Sequence, residues 1–109
     1  MRFALACSLL LLAPLAARAD GSFIQAVDKV ITQHERDVRA CARHLERRGD
    51  VVAINVLLTI DPSGRVIDAF APTGSRAATC LEKLARGLTF PAPDLETQVA
   101  YPFLLSSKR

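Results

Sequence analysis

The residues from 51 to 71 constrain the fold most, because they contain two strand-like runs with a recognisable turn between them. The turn reads Asp61-Pro62-Ser63-Gly64. Proline at the second turn position and glycine at the fourth are what a type I turn favours. Two β-rich runs separated by such a turn predict a β-hairpin.

The first strand of this hairpin has one uniformly apolar face, which we expect to carry the core because successive side chains point to opposite faces of a sheet. That face consists of Val52, Ile54, Val56, Leu58 and Ile60. The second strand alternates less cleanly. Either Val66 and Phe70, or Ile67, Ala69 and Ala71, face inward, and the sequence leaves both registers open.

Two segments flanking the hairpin have apolar residues at the three- and four-residue spacing of an amphipathic helix. The first segment, residues 22–48, has the stripe Phe23, Ile24, Val27, Val30, Ile31, Val38, Ala42 and Leu45, and Gly49 follows it as a helix-ending glycine. The second helix of about 12 residues has the stripe Ala77, Ala78, Leu81, Leu84, Ala85 and Leu88. His34, near the centre of the first stripe, is predicted to be a core or boundary histidine with a backbone or water partner.

Two prolines in the segment TFPAPDLE end the second helix, and QVAYPFLL then alternates as a last strand. The order helix, strand, strand, helix, strand predicts an α+β fold, a long N-terminal helix plus ββαβ. We expect a three-stranded antiparallel sheet with both helices on one face. A right-handed crossover places the last strand beside the first. Pro102 cannot donate a ladder hydrogen bond, which favours an edge position for that strand.

The N-terminal sequence MRFALACSLLLLAPLAARAD is typical of a secretory signal peptide. An apolar run follows a single early arginine and leads to the small-x-small motif Ala17-Arg18-Ala19. We predict a signal peptide over residues 1–19 and a single exported domain over residues 20–109. The apolar run is shorter than the roughly 20 residues of a comfortable membrane span, and Cys7 leaves with the signal peptide.

Charge and composition exclude several function classes. Removal of Arg2 and Arg18 with the signal peptide leaves 12 basic against 11 acidic residues, a net charge of +1, which does not favour nucleic-acid binding. The chain has six aromatic residues and no tryptophan, too few for a stacking platform. The sequence shows no catalytic triad order, phosphate loop or metal motif, so we predict no enzyme activity, metal or cofactor.

The first helix also has a face of arginines that we interpret as solvated, with a weak contact to lipid headgroups or an acidic protein as the alternative. That face consists of Arg36, Arg39, Arg43 and Arg47. The arginines point away from the border of the stripe on which Cys41 lies, so they do not favour an activated thiol there.

Cys41 and Cys80 are the cysteines of the predicted domain, and three interpretations of them are possible: a nucleophile, a zinc site and a disulfide. A nucleophilic Cys41 lacks an orienting partner, and an exported lone thiol tends to be oxidised. A zinc site with His34 and His44 has poor geometry, because the two histidines lie roughly 80° apart around the helix on opposite sides of Cys41.

The third interpretation, a disulfide between Cys41 and Cys80, is the one we favour. It requires the two helices to cross at these residues with Cα atoms about 5.5–6 Å apart, closer than most helix pairs pack. Small neighbours permit such an approach, namely Ala40, Ala42, Ala77 and Ala78. Closure of a loop of about 40 residues is worth on the order of 4 kcal/mol in the chain-entropy model.

Taken together, these motifs resemble the AgmX/PglI C-terminal domain, which is itself similar to the TonB C-terminal domain. The resemblance rests on Cys41 late in a long first helix, the turn "IDPSGRV", Cys80 in the second helix, and "FPAP" followed by "VAYPFLL". It covers roughly residues 22–105. It implies the helix-plus-ββαβ fold and a periplasmic envelope role based on protein contacts.

In TonB the equivalent of the last strand pairs with an extended peptide from an outer-membrane transporter, a case of strand addition at a sheet edge. The resemblance therefore implies an edge that binds an envelope protein or peptide. The candidate binding residues are Gln98, Val99, Ala100, Tyr101, Pro102 and Phe103. Two departures matter: Pro102 interrupts the ladder, and a predicted signal peptide stands where TonB-like proteins have a membrane anchor and a proline-rich spacer.

The prediction is thus a small periplasmic interaction module. A periplasmic enzyme inhibitor or thiol redox protein is the alternative, and a purely structural domain is a third hypothesis.

Overall fold

The computed structural model describes residues 17–45 and 51–106. In chain order the elements are β1 (Ala17–Arg18), α1 (Gly21–Gln33), α2 (Glu35–Cys41), a 3-10 turn (Ala42–His44), β2 (Val51–Ile60), β3 (Val66–Phe70), α3 (Arg76–Arg86) and β4 (Thr97–Ser106). The predicted α+β class is confirmed. Most of the predicted signal peptide, the end of the predicted first helix at 46–50, and residues 107–109 lie outside the described residues.

The sheet has the strand order β1-β4-β2-β3. β2 is central and antiparallel to both β3 and β4, so the last strand lies beside the first strand of the hairpin, as predicted. The structure adds β1, whose two residues pair in parallel with Thr97 and Gln98.

The core lies between one face of the sheet and the helices. Ile54, Val56, Leu58 and Ile60 of β2 are all buried, and the helices cover this face with their own apolar stripes, including Leu81. The apolar face predicted for the first strand therefore carries the core. The opposite face has no helix over it among the described residues.

The first helix differs from the single long helix that the stripe predicts, because it breaks at His34. The His34 backbone has φ −107° and ψ 24°, and its N–H donates to the Ile31 carbonyl instead of the Val30 carbonyl. The ring nitrogen Nδ1 donates to the Val30 carbonyl at 3.0 Å. A side chain that takes the backbone's acceptor competes with the helical ladder, and the chain restarts as α2. His34 is half-buried with a backbone partner, as expected.

The second strand of the hairpin contains a β-bulge, which explains why its register could not be predicted. Ile60 pairs with Val66 but Thr59 pairs with Asp68, so Ile67 is an extra residue on β3. An extra residue inverts the alternation along a strand. Val66 is consequently half-buried before the bulge and Ala69 is buried after it.

The predicted turn between β2 and β3 is present. The Gly64 N–H donates to the Asp61 carbonyl at 2.9 Å. The Asp61 carboxylate accepts from the Ser63 hydroxyl and from the N–H groups of Ser63 and Arg65. These hydrogen bonds, the Ser63 hydroxyl foremost, lower the pKa of Asp61 below its ordinary value.

The predicted disulfide joins Cys41 at the end of α2 to Cys80 in α3, with Cα atoms 5.6 Å apart. Ala42, Ala77 and Ala78 beside it are buried, which fits their expected part in the close approach of the helices. The expectation for Ala40 was wrong. That residue is exposed, because it lies on the outward side of α2.

Candidate binding edge and groove

The last strand places its residues as the alternation predicts. Val99 and Phe103 face the helices and are buried, and Tyr101 between them is half-buried. Gln98, Ala100 and the other even-numbered positions of the strand are exposed. The sheet edge proposed from the resemblance is therefore a real strand of ten residues.

The opposite edge of the sheet, formed by β3, is partly covered by α3. Arg86 of α3 donates to the Ala69 carbonyl at 2.9 Å, and Glu82 of α3 accepts from the Ala71 N–H at 2.6 Å. At the start of β3, Arg65 forms an antiparallel bridge with Thr89. Backbone groups bonded in this way are not available to another chain.

The outer side of β4 is open by comparison. Among the described residues, only β1 pairs with it, at Thr97 and Gln98. From 99 to 105 no hydrogen bond of the described residues reaches its outward backbone groups. The two edges of the sheet thus differ, and the open one is the edge predicted from the sequence.

Pro102 lies within this edge. The pairing of β4 with β2 continues past it without a shift, as is usual where a strand proline turns its nitrogen away from its partner strand. Backbone groups alternate sides along a strand, so the N–H groups of Ala100 and Leu104 lie on that same outer side. Pro102 removes one outward donor and leaves its neighbours available.

A groove of about 200 Å³ runs beside the open edge. Ile31, Thr32, Glu35 and Val38 of α1 and α2 form one wall, and residues 101–104 of β4 form the other. Four consecutive strand residues point alternately to both faces, so a cavity that touches all of them meets the strand at its edge. The helix wall of this groove was missed from the sequence, where Ile31 and Val38 belonged only to the core stripe and Thr32 and Glu35 had no assigned role.

Tyr101 of β4 forms a hydrogen bond to α1 beside this groove. Its hydroxyl donates to Asp28 at 2.5 Å across 73 residues of sequence, and its ring contacts Phe103 edge-on at 4.8 Å between centroids. Burial and then the Asp28 carboxylate raise the pKa of Tyr101 to about 12. The groove wall and the edge strand are therefore joined by a polar contact as well as by packing.

The raised pKa of Tyr101 predicts that its hydroxyl titrates at unusually alkaline pH, which the absorbance of the tyrosine ring reports. Tyr101 is the only tyrosine of the chain, so phenolate absorbance should show a midpoint near 12 in the folded protein. The stability that this contact contributes is fully present below the unfolded pKa of about 10 and is lost as pH rises towards 12. Asp28→Asn should lower the midpoint, whereas Asp37→Asn, on the outside of α2, should not. A wild-type midpoint at 10 contradicts the contact.

The helix-free face of the sheet is more apolar than a solvated face usually is. Leu57, Phe70 and Leu104 are among its exposed large side chains, with Ala100 and Ala53 beside them. Leu57 pairs with both Phe70 and Ala100, so the apolar row reaches β4. A strand added to β4 extends this apolar face as well as the ladder.

The other candidate chemistries have less support in the described residues. The Cys41 and Cys80 sulfurs are bonded to each other, which leaves neither as a free thiol or zinc ligand. No three of the described histidine, cysteine, aspartate and glutamate side chains gather as a metal ion requires. No described helix has both the length and the apolar character that a membrane crossing needs.

Comparisons of the chain with protein-family models, with curated proteins and with solved structures yield no match.

Proposed function

We propose that this chain is a small exported protein of the bacterial periplasm that binds an extended segment of an envelope protein by strand addition to β4. The observation that supports this most is the inequality of the two sheet edges. Arg86 and Glu82 of α3 bond backbone groups at Ala69 and Ala71 on the β3 edge, whereas no hydrogen bond of the described residues reaches the outward backbone groups of β4 from 99 to 105, beside the groove. The resemblance of the sequence to TonB-like domains points to the same edge.

Removal of the predicted signal peptide lengthens the open part of this edge. Cleavage after Ala19 removes β1, which is the strand on Thr97 and Gln98. Among the described residues, the outer side of β4 is then open from Thr97 to Leu105, about 30 Å of strand. Cleavage at this bond leaves Asp20, whose carboxylate accepts from the Phe23 N–H at 2.9 Å and so caps α1. The helix start does not depend on the residues removed.

An exported protein also gives the disulfide a setting in which it persists, because the periplasm is oxidising. Cys41 is 1% exposed and Cys80 is half-buried, which restricts the access on which thiol exchange depends. The disulfide therefore supports a structural part for the cysteines over a redox one.

The test is photo-cross-linking from the two edges in bacteria that export the protein. A photoreactive amino acid replaces Leu104 on β4 in one variant and Ile67 on β3 in the other. Both positions are exposed aliphatic residues of edge strands, at 70% and 54% exposure. We expect a discrete envelope-protein adduct from position 104 and none from 67. Equal adducts from both positions, or an adduct from 67 alone, contradict binding at β4.

A further inference from the structure

We propose that the groove beside β4 takes one large aliphatic side chain of the added strand, and that a lysine or arginine of the same strand pairs with Glu35 at the mouth of the groove. This inference rests on the proposed function and specifies the chemistry of its partner. Four observations support it: the apolar floor of the groove, its size, its charge and the position of Pro102 in the edge strand.

The floor of the groove is apolar. Ile31 of α1 and Val38 of α2 are 4% and 9% exposed, and Phe103 opposite them is 2% exposed. A strand paired with β4 directs every second side chain towards the helices, that is, over this floor. An apolar side chain in that position removes mainly its own surface from water, because little of the floor is still exposed, and this is favourable in proportion to the area buried.

The size of the groove limits how many side chains enter. Its volume is about 200 Å³, and an apolar cavity of about 150 Å³ holds a benzene ring. One leucine- or isoleucine-sized group fits, and the next side chain on the same face lies about 6.6 Å further along the strand. The partner therefore has a single anchor here, as interfaces with a central hot spot do.

The charge of the groove is negative. Glu35 lines it and no lysine or arginine does, while Asp28 lies one helical turn before Thr32 on the same wall. Glu35 bonds Arg39 at 2.9 Å through Oε1, with both side chains largely exposed. An exposed pair of this kind contributes little, so a cation from the partner competes readily for the carboxylate.

Pro102 argues that the partner is another protein and not a second copy of this chain. Two β4 strands pairing across a two-fold axis would each bring Pro102 into one shared ladder, which then lacks two donors. Proline on an edge strand is a common means of preventing such self-pairing. A partner strand without proline loses only one hydrogen bond.

The experiment measures binding of a synthetic peptide to the mature protein. The peptide has about seven residues that alternate threonine and valine, with a leucine at its centre and a lysine two residues after the leucine. Matched peptides carry alanine for leucine, or glutamine for lysine. Two protein variants probe the groove, Thr32→Phe, which fills it, and Glu35→Gln. Their controls are Thr79→Phe and Asp37→Asn.

The threonine control matches in its local bond, and the acidic control matches in its position in the helix, although Glu35 also pairs with Arg39. Thr32 and Thr79 are both exposed and each donates its hydroxyl to the carbonyl four residues earlier. Glu35 and Asp37 are both in the first turn of α2, so removal of either charge has the same effect on the helix dipole. Thr79 and Asp37 do not line the groove.

We expect Thr32→Phe, and separately the leucine-to-alanine peptide, to weaken binding about tenfold or more. Glu35→Gln should weaken binding of the lysine peptide about two- to fivefold at low salt and leave the glutamine peptide unaffected. Equal effects of Thr32→Phe and Thr79→Phe overturn the anchor, and equal effects of Glu35→Gln on the two peptides overturn the ion pair. If peptides bind regardless of these changes and Ala100→Pro abolishes that binding, strand addition stands without the groove. If no peptide binds, the groove specificity is overturned, and the adduct from position 104 decides strand addition separately.

Discussion

Removal of the Cys41–Cys80 disulfide is expected to lower the free energy of unfolding by about 4 kcal/mol, since the bond closes a loop of 39 residues in the unfolded chain. In a domain of this size, that corresponds to a fall in melting temperature of roughly 15–30 °C. Thermal unfolding of the mature protein with and without reductant measures it.

The Cys41→Ala, Cys80→Ala double variant provides the control, because it should melt where the reduced wild type melts and should not respond to reductant. A shift of only a few degrees on reduction contradicts the expectation. The bond also matters for the site. α2 carries both Glu35 and Val38 of the groove wall, and its last residue is Cys41, so loss of the disulfide should weaken peptide binding before the domain unfolds.

The second large effect is expected for Gly64→Ala. Gly64 has φ +93°, and a Cβ there would lie 2.0 Å from the Phe90 carbonyl oxygen, which is backbone and cannot swing away. The Phe90 N–H donates to the Gly64 carbonyl at 2.9 Å, so the two segments are held together. A left-handed alanine costs about 1–2 kcal/mol and overpacking typically another 1–3 kcal/mol, for a total of about 2–5 kcal/mol.

Gly74→Ala isolates the contribution of that contact. Gly74 also has a positive φ, at +66°, but a Cβ there meets nothing within 4 Å. Denaturant unfolding of the two variants should therefore show Gly64→Ala as the more destabilised by about 1–3 kcal/mol. Equal free energies of unfolding would mean that the segment at Phe90 relaxes away, and would contradict the close packing of the turn.

Most features that the sequence predicts well have a short-range cause. The hairpin follows from alternation and the turn at Asp61, and the disulfide follows from the helical position of Cys41 and Cys80. The signals of the hairpin are local. The disulfide joins residues 39 apart in sequence, and it could be predicted because Cys41 and Cys80 are the two cysteines of the predicted exported domain. The order of elements then restricts the sheet to a few topologies, and β4 falls beside β2.

The features missed depend on contacts between residues distant in sequence, or on a local competition with no periodic signal. The break at His34 arises because a ring nitrogen takes the Val30 carbonyl. The partial covering of the β3 edge requires Arg86 and Glu82 to reach backbone 17 and 11 residues away. Periodicity identifies these two side chains only as the polar face of a helix.

Of the candidate site, the sequence predicts the strand but not the helix wall of the groove. Its strand, from Gln98 to Phe103, was identified from alternation, the position of Pro102 and the resemblance to TonB-like domains. Its helix wall was not, because whether Thr32 and Glu35 border a groove or plain solvent depends on how far α1 lies from the edge of β4. That distance is set by packing and by the bond between Tyr101 and Asp28.

The most direct measurement of the central claim is the cross-link from position 104, repeated in an Ala100→Pro background. Ala100 pairs with Leu57 on β2, and its N–H lies on the outer side of β4, so proline there removes an outward donor and leaves the β2–β4 ladder intact. With the disulfide and ellipticity unchanged, strand addition predicts that the position 104 adduct disappears. An adduct of unchanged yield in the Ala100→Pro protein would show that the partner does not pair with the β4 backbone.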